Sequence, residues 1–157
     1  MTRFTLGYLQ DCAEIRELSV RYNLYANAAD GESYAQLFTE DGEFWAHGGE
    51  HIYRGRVELA QVASAATEIV HITTDPLIEV NGDEATQTSQ LVVAHRKIDK
   101  SENEFVATGT YTDLLVRSPD GWRFKRRQSD LHLRDDLLLA AMGLADDPEW
   151  KRVNRST

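Results

Sequence analysis

The hydrophobic repeat of this chain changes near residue 70 from a helical period to a strand period, and this change constrains the fold most. Before it, one set of apolar and small residues recurs at intervals of three or four: Ile15, Leu18, Tyr22, Tyr25 and Ala29. That spacing predicts the buried stripe of one helix. After it, four long segments are rich in strand-forming residues with a period near two: 70–80, 85–98, 104–117 and 122–133. They predict four strands.

Helices followed by a run of antiparallel strands indicate an α+β fold, in which a curved antiparallel sheet wraps around the helices to form a cone. A pocket at the open mouth of such a cone is the expected place for a ligand. We expect one domain over residues 1–157, with a core at about 11–133 and a C-terminal helical segment at 135–153. A chain of this length is long enough to bury a sizeable core.

Signals at the segment ends predict where the helices begin and end. Asp11 followed by Glu14 predicts the start of the first helix, and Gly31 its end. A short second helix carrying Tyr34, Leu37 and Phe38 follows. A hairpin around residues 48–49 and a third helix at 57–69 then lead into the strands.

Composition excludes several classes of function. The formal net charge of -9 argues against a nucleic-acid or anionic-membrane partner, because both reward clustered basic residues. Cys12 is the single cysteine, so no intrachain disulfide can form. The N-terminus has no signal-peptide pattern, and the longest apolar stretch, 137–145, is far shorter than the ~20 residues of a spanning helix. We expect a cytoplasmic protein.

Motifs that bind metals, phosphates or acyl groups are missing from the sequence. There is no HExxH, no His-x-His, no glycine-rich phosphate fingerprint and no GxSxG. We therefore expect neither a metal nor another cofactor.

Asp30 and His71 are the first candidates for chemistry. Asp30 follows the first helix and either orients a catalytic imidazole or caps the next helix. His71 opens a strand, where a lone histidine is more often structural. A carboxylate partner would fix its tautomer and raise its basicity, which suits proton transfer near neutral pH.

Three further residues are candidates with an open alternative each. His95 follows Leu91 and Val93 on one face of a strand, and is either a site residue or a rim residue. Tyr25 either donates a hydrogen bond to a substrate carbonyl or belongs to the core. Arg127 either holds an anionic oxygen or faces solvent, which is commoner for a strand arginine.

Several segments together resemble the SnoaL-like branch of the nuclear transport factor 2-like superfamily. They are YANAAD at 25–30, FTEDGEF at 38–44, HITTDPLIEVNGDEA at 71–85 and TGTYTDLLVRSPDGWRFKRR at 108–127. The resemblance runs from about residue 11 to 133. It implies the cystatin-like α+β barrel of that superfamily, which hosts many functions.

Within the superfamily, the site pattern is similar to those of scytalone dehydratase and bile-acid dehydratase. The resemblance implies catalytic roles for Asp30, His71 and His95, and suggests Tyr25 and Arg127 beside them. It also implies substrate contacts at Trp45 and on the strand at 104–117, from Tyr111 and Asp113 or from Thr110 and Thr112. Ala29 stands where scytalone dehydratase has a tyrosine, and this departure argues against scytalone itself as the substrate.

The sequence thus predicts a cofactor-independent dehydratase that eliminates water from a cyclic or polycyclic hydroxy-ketone. The alternatives are an isomerase or cyclase using the same groups, and a domain that only binds a small molecule. The expected partner is a small hydrophobic carbonyl compound. Polar residues on both faces of the strands, and the resemblance, also imply a homo-oligomer, a trimer ahead of a dimer.

Overall fold

The computed structural model describes residues 4–96 and 103–133, which form three helices and a seven-stranded sheet. The helices are α1 (Leu6–Asn27), α2 (Gly31–Gln36) and α3 (Gly55–Ala65). The strands are β1 (Phe38–Ala46), β2 (His51–Arg54), β3 (Ile69–Thr73), β4 (Leu77–Asn81), β5 (Glu84–Arg96), β6 (Asn103–Ser118) and β7 (Gly121–Leu133). The α+β prediction, with a curved and open antiparallel sheet, is confirmed.

The strands follow the order β2-β1-β7-β6-β5-β3. β4 also pairs with β5, at residues 84–88, whereas β3 pairs with residues 91–95 of the same strand. β1 runs parallel to β7, whereas the other pairings described are antiparallel. β5, β6 and β7 are the long central strands, and α1 lies against β3, β4 and β7. The helix therefore closes one side of the interior that the sheet curves around.

Helix α1 begins at Leu6 rather than near Asp11. Thr5 caps it, because its Oγ1 accepts a hydrogen bond of 3.2 Å from the backbone N–H of Tyr8. Asp11 instead accepts hydrogen bonds from Arg117 at 2.8 Å and from the indole N–H of Trp122 at 3.1 Å. The carboxylate taken for a helix cap therefore ties α1 to the β6–β7 turn.

Helix α1 ends at Asn27, before the predicted stop at Gly31. Ala29 adopts a left-handed φ of 53°, and the backbone N–H groups of Ala29 and Asp30 donate to the carbonyls of Ala26 and Tyr25. This is the Schellman arrangement, here without the usual glycine. A Cβ on Gly31 would lie 2.2 Å from the Ala60 carbonyl oxygen, so Gly31 serves the close approach of α2 to α3.

Three other predicted boundaries need correction, whereas the hairpin joining β1 to β2 is confirmed. The segment 70–80 forms two strands rather than one, because Pro76 has no N–H to donate to a sheet ladder and the chain breaks there. The helix predicted at 57–69 ends at Ala65, and Ile69 already belongs to β3. Phe38 begins β1 instead of ending α2.

Aromatic rings fill the centre of the core. The ring of Tyr22 contacts those of Tyr34, Phe38, Tyr111 and Phe124 at centroid distances of 4.8–6.3 Å. Such clusters stabilise the fold through their buried area and through the geometry of the ring pairs.

The C-terminal helix predicted at 135–153 lies outside the described residues. No described helix is long and apolar enough to cross a membrane.

Candidate active site

A β-bulge in β7 turns Arg127 into the interior. Leu114 pairs with Arg126 while Leu115 pairs with Phe124, so Lys125 is an extra residue on β7. An extra residue reverses which side chains face the core along the rest of the strand. Phe124 is buried before the bulge, and Arg127 is buried after it. The solvent-facing alternative for Arg127 is therefore wrong.

The guanidinium of Arg127 is held by a buried carboxylate and three rings. Its Nε and Nη2 donate to Asp113 at 2.8 and 2.7 Å, and the two side chains are 1% and 0% exposed. The rings of Tyr22, Tyr111 and Phe124 lie 4.0–4.3 Å from it. Burial lowers the pKa of Arg127, but the charge and hydrogen bonds of Asp113 outweigh it and raise that pKa overall.

The inward register of β6 is now clear, because Tyr111 and Asp113 are buried and Thr112 is exposed. Burial raises the pKa of Tyr111 well above its ordinary value, so its phenol stays protonated. Asp113 also accepts a hydrogen bond of 2.6 Å from Gln87. Among the described residues, Nη1 of Arg127 is buried without a hydrogen-bond partner. This buried, positively charged N–H can therefore donate a hydrogen bond to an acceptor.

A polar stripe on α1 faces the sheet at four-residue spacing: Ser19, Asn23 and Asn27. Each residue contacts a side chain on a strand. Ser19 accepts from Gln87 at 2.8 Å, Asn23 donates to Thr73 at 2.7 Å, and Asn27 contacts His71. Residues four apart lie on one helix face, so the stripe lines the interior along the last turns of α1.

Asn27 makes three contacts with His71. Its Oδ1 accepts from the backbone N–H of His71 at 2.7 Å, and its Nδ2 donates to the backbone carbonyl of His71 at 3.3 Å. The same Oδ1 lies 2.9 Å from the ring Nδ1 of His71. The two backbone contacts fix which end of the amide is oxygen, because an N–H needs an acceptor and a carbonyl needs a donor.

The amide orientation in turn fixes the tautomer of His71. Because an amide oxygen only accepts, Nδ1 of His71 must carry the hydrogen and donate it to Asn27. The neutral ring then has its lone pair on Nε2. Burial lowers the pKa of His71 to about 4, and the positive charge of Arg127 acts in the same direction. His71 is therefore a neutral base at physiological pH.

Asp30 does not meet His71, which corrects the expected pairing. Its Oδ1 accepts from the backbone N–H of Ser33 at 3.1 Å, so it caps α2. Hydrogen bonding by Ser33 lowers the pKa of Asp30. Because the left-handed Ala29 redirects the chain after Asn27, Asp30 does not lie on the face of α1 that packs against β3. The second alternative for Asp30, helix capping, is the one observed.

His95 lies on the same sheet face as His71. It pairs with Ile69 across β3 and β5, two residues from His71, and side chains two apart point to one face. Its Nε2 is 3.5 Å from Oε2 of Glu68. Glu68 has a left-handed φ of 64°, in the turn before β3. The two imidazoles thus have different partners, an amide for His71 and a carboxylate for His95.

Tyr25 and Trp45 lie away from His71. Tyr25 is half-buried and lines a groove of about 220 Å³ with Arg21 and Arg123. Trp45 donates from its indole N–H to Glu43 at 2.6 Å, and the guanidinium of Arg126 lies 4.7 Å from its ring. Trp45 and Arg126 share the outer face of the sheet, so the expected substrate contact of Trp45 inside the cone is not supported.

Sequence reasoning missed Asn27, Gln87 and Ser19 as parts of this site. The available signal was the four-residue spacing of Ser19, Asn23 and Asn27 beside the apolar stripe of a helix expected to be buried. Over residues 4–96 and 103–133, no three His, Cys, Asp or Glu side chains converge in a group that could hold a metal ion.

Comparison with known proteins identifies one family. The model of the SnoaL-like domain matches residues 7–128. Rv3472 of Mycobacterium tuberculosis, a protein of unknown function, is 32% identical, with 92% of this chain and 89% of that chain covered and a TM-score of 0.75. No curated protein sequence gives a significant match.

Two structures from Novosphingobium aromaticivorans are also similar. One is a nuclear transport factor 2-like protein with a cystatin-like fold, 27% identical over 91% of this chain and 98% of that chain, with a TM-score of 0.70. The other, proposed to be a scytalone dehydratase, is 22% identical over 80% and 86%, with a TM-score of 0.68. At that identity the second structure is similar in fold alone.

Proposed function

This chain belongs to the family of SnoaL-like domains, and from that premise we propose that it is a cofactor-independent lyase that dehydrates a cyclic or polycyclic hydroxy-ketone. The family includes dehydratases, cyclases and isomerases. The observation that carries the proposal is the half-buried His71, whose Nδ1 contacts Asn27 so that the lone pair lies on Nε2, and whose pKa is lowered by desolvation and by the charge of Arg127.

In the proposed reaction, Nε2 of His71 takes the proton from the carbon next to the substrate carbonyl. The electron pair of that C–H bond forms the enolate, and the carbonyl oxygen becomes anionic. When the carbonyl re-forms, the pair moves to make the C=C bond, and the hydroxide on the β-carbon leaves. The proton held by His71 completes the departing water, so the products are an enone and water and the enzyme is unchanged.

Arg127 is proposed to stabilise the enolate oxygen through Nη1. A base of low pKa can remove only a proton that a neighbouring carbonyl has made acidic. A positive charge beside the developing oxyanion lowers the barrier further. The positioned base is typically worth about 10²–10⁴-fold in rate, and one oxyanion donor about 10²–10³-fold. His95, which contacts Glu68, is proposed to assist the leaving hydroxide by a hydrogen bond, while the one proton that completes the water comes from His71.

The proposal is tested with a panel of cyclic β-hydroxy-ketones, by following the ultraviolet absorbance of the enone product. We expect turnover by the wild-type protein and a loss of at least about a hundredfold in His71→Ala. Asp30→Asn is the matched control, since it changes a carboxylate outside the interior. No turnover of any panel member, or equal rates in wild type and His71→Ala, would overturn the proposal.

The same proton abstraction begins an isomerisation or a cyclisation, so the panel includes β,γ-unsaturated ketones. Migration of the double bond without loss of water would assign an isomerase that uses the same base. Binding of these ketones without any reaction would assign a small-molecule-binding domain.

We also propose that the protein is a homo-oligomer, a trimer ahead of a dimer. Light scattering on the protein as it elutes from a sizing column measures this directly.

A further inference from the structure

The contact between Asn27 and His71 links helix α1 to strand β3. It joins the last residue of α1 to both the backbone and the ring of one strand residue, through the three contacts at 2.7, 2.9 and 3.3 Å. We propose that Asn27 is the positioning residue of the site, and that it holds His71 in the Nδ1–H tautomer so that Nε2 is the base. This inference rests on the proposed function for its catalytic consequence.

The geometry leaves the imidazole one favourable state. The amide cannot turn over, because the backbone N–H of His71 would then face its NH₂ group and the carbonyl of His71 would face its oxygen. The other tautomer of His71 would direct a lone pair at Oδ1, and two acceptors that face each other at 2.9 Å are unfavourable. Asn27 therefore selects a tautomer in the way that a carboxylate does in better-known histidine sites.

An amide differs from a carboxylate in one respect that matters for chemistry. It carries no net charge, so it orients the ring while stabilising the protonated imidazolium less than a carboxylate would. His71 then remains neutral across the physiological range, beside the cation of Arg127. Asp113 forms its ion pair with Arg127 rather than with the imidazole. Asn27 therefore orients the ring without adding a negative charge. Asp30, had it been the partner as expected, would have oriented the ring and also stabilised its positive charge.

Replacing Asn27 by Asp tests the uncharged partner. The carboxylate keeps an acceptor for Nδ1–H but adds a negative charge, so the pKa of His71 should rise by at least one unit, a tenfold gain in proton affinity. The control is Asn23→Asp, which adds the same charge one turn earlier, next to the hydroxyl of Thr73. We expect a smaller rise there, because the added charge does not touch the ring.

Asn27→Ala removes the acceptor altogether. We expect kcat to fall by about tenfold to a hundredfold, and by less than in His71→Ala, because the base is retained but is held neither in one tautomer nor in one orientation. Asn27→Asp should recover part of kcat, with the acid limb of kcat/KM moved to higher pH. Loss of kcat in Asn27→Ala with an unchanged imidazole tautomer would show a merely structural role and overturn the assignment.

The decisive measurement needs no variant. Nitrogen-15 NMR of the His71 ring in the wild-type protein at pH 7 reports which nitrogen carries the proton. We expect hydrogen on Nδ1 and a lone pair on Nε2; hydrogen on Nε2, or a rapid mixture of the two tautomers, would overturn the inference. Because this readout does not depend on turnover, an inactive protein with the expected tautomer would refute the proposed function and leave the role of Asn27 intact.

Discussion

Removing the charge of Arg127 should destabilise the protein strongly. In Arg127→Met the carboxylate of Asp113 stays buried, with Gln87 as its remaining hydrogen-bond donor. Breaking a buried ion pair from one side typically costs about 3–5 kcal/mol, and three rings also lose a stacked cation. We expect the free energy of unfolding to fall by about 4 kcal/mol, a large part of the ~5–15 kcal/mol of a typical domain.

The double variant Arg127→Met with Asp113→Leu should be more stable than Arg127→Met alone. It removes both charges, and apolar replacements of buried pairs are often neutral or stabilising. Gln87 keeps its contact with Ser19 when Asp113 is replaced. We expect a coupling free energy of at least ~2 kcal/mol between the two positions, well above the ~0.5 kcal/mol within which independent sites add.

Urea denaturation of the wild type, both single variants and the double variant measures that coupling. The pKa of His71, followed by NMR in the folded double variant, should rise above its wild-type value because the positive charge of Arg127 lowers it. Additive losses of stability in the double variant would refute the buried ion pair as described. An unchanged pKa of His71 would refute its electrostatic contact with Arg127.

Other expected outcomes concern His71, Ala29, Gly31 and Asp30. The pKa of His71 is about 4 in the folded protein and 6.5 when unperturbed, so the unfolded chain binds the proton first. Its contribution of about 3 kcal/mol is fully present above pH 6.5 and lost as the pH falls towards 4; pH-dependent urea denaturation should show a shallower decline in His71→Gln. Ala29→Gly should raise the free energy of unfolding by up to about 1 kcal/mol, since glycine accepts the left-handed φ, and a lower melting temperature would contradict the Schellman assignment. Gly31→Ala should destabilise, because its Cβ meets the Ala60 carbonyl at 2.2 Å, and thermal unfolding with an unchanged midpoint would show that α2 and α3 can separate. Asp30→Ala should lower the melting temperature through loss of the cap, while Asp30→Asn should keep near-wild-type turnover; a loss as large as that of His71→Ala would return Asp30 to the catalytic group.

Sequence periodicity predicted the architecture because it reports burial directly. The alternation along β5 survives in the structure, and that along β7 holds on each side of the bulge at Lys125. The apolar stripe of α1 survives at Ile15, Leu18 and Tyr22, but Ala26 continues it in place of Tyr25 and Ala29. The register of β6 at Tyr111 and Asp113 was left open, since a pattern of alternating residues does not say which set faces inward when both contain polar side chains. Pairing with β5 and β7 decides it.

The errors in the candidate site have two local causes. Ala29 gives no sign of a left-handed residue, because glycine or asparagine is the usual signal, so the end of α1 was placed at Gly31. Asp30 was expected at the end of α1 as a partner of the imidazole, whereas the structure places Asn27 against His71. The bulge at Lys125 likewise has no glycine or proline to mark it, so periodicity left open which way Arg127 points.

Proton abstraction by Nε2 of His71 is the central claim, and hydrogen exchange tests it most directly. A cyclic ketone without a leaving group is incubated with the protein in deuterated water, and proton NMR follows the loss of the signal next to the carbonyl. We predict deuterium incorporation catalysed by the wild type and by Asp30→Asn, and absent above background in His71→Ala. Equal exchange in wild type and His71→Ala would contradict the assignment of His71 as the base.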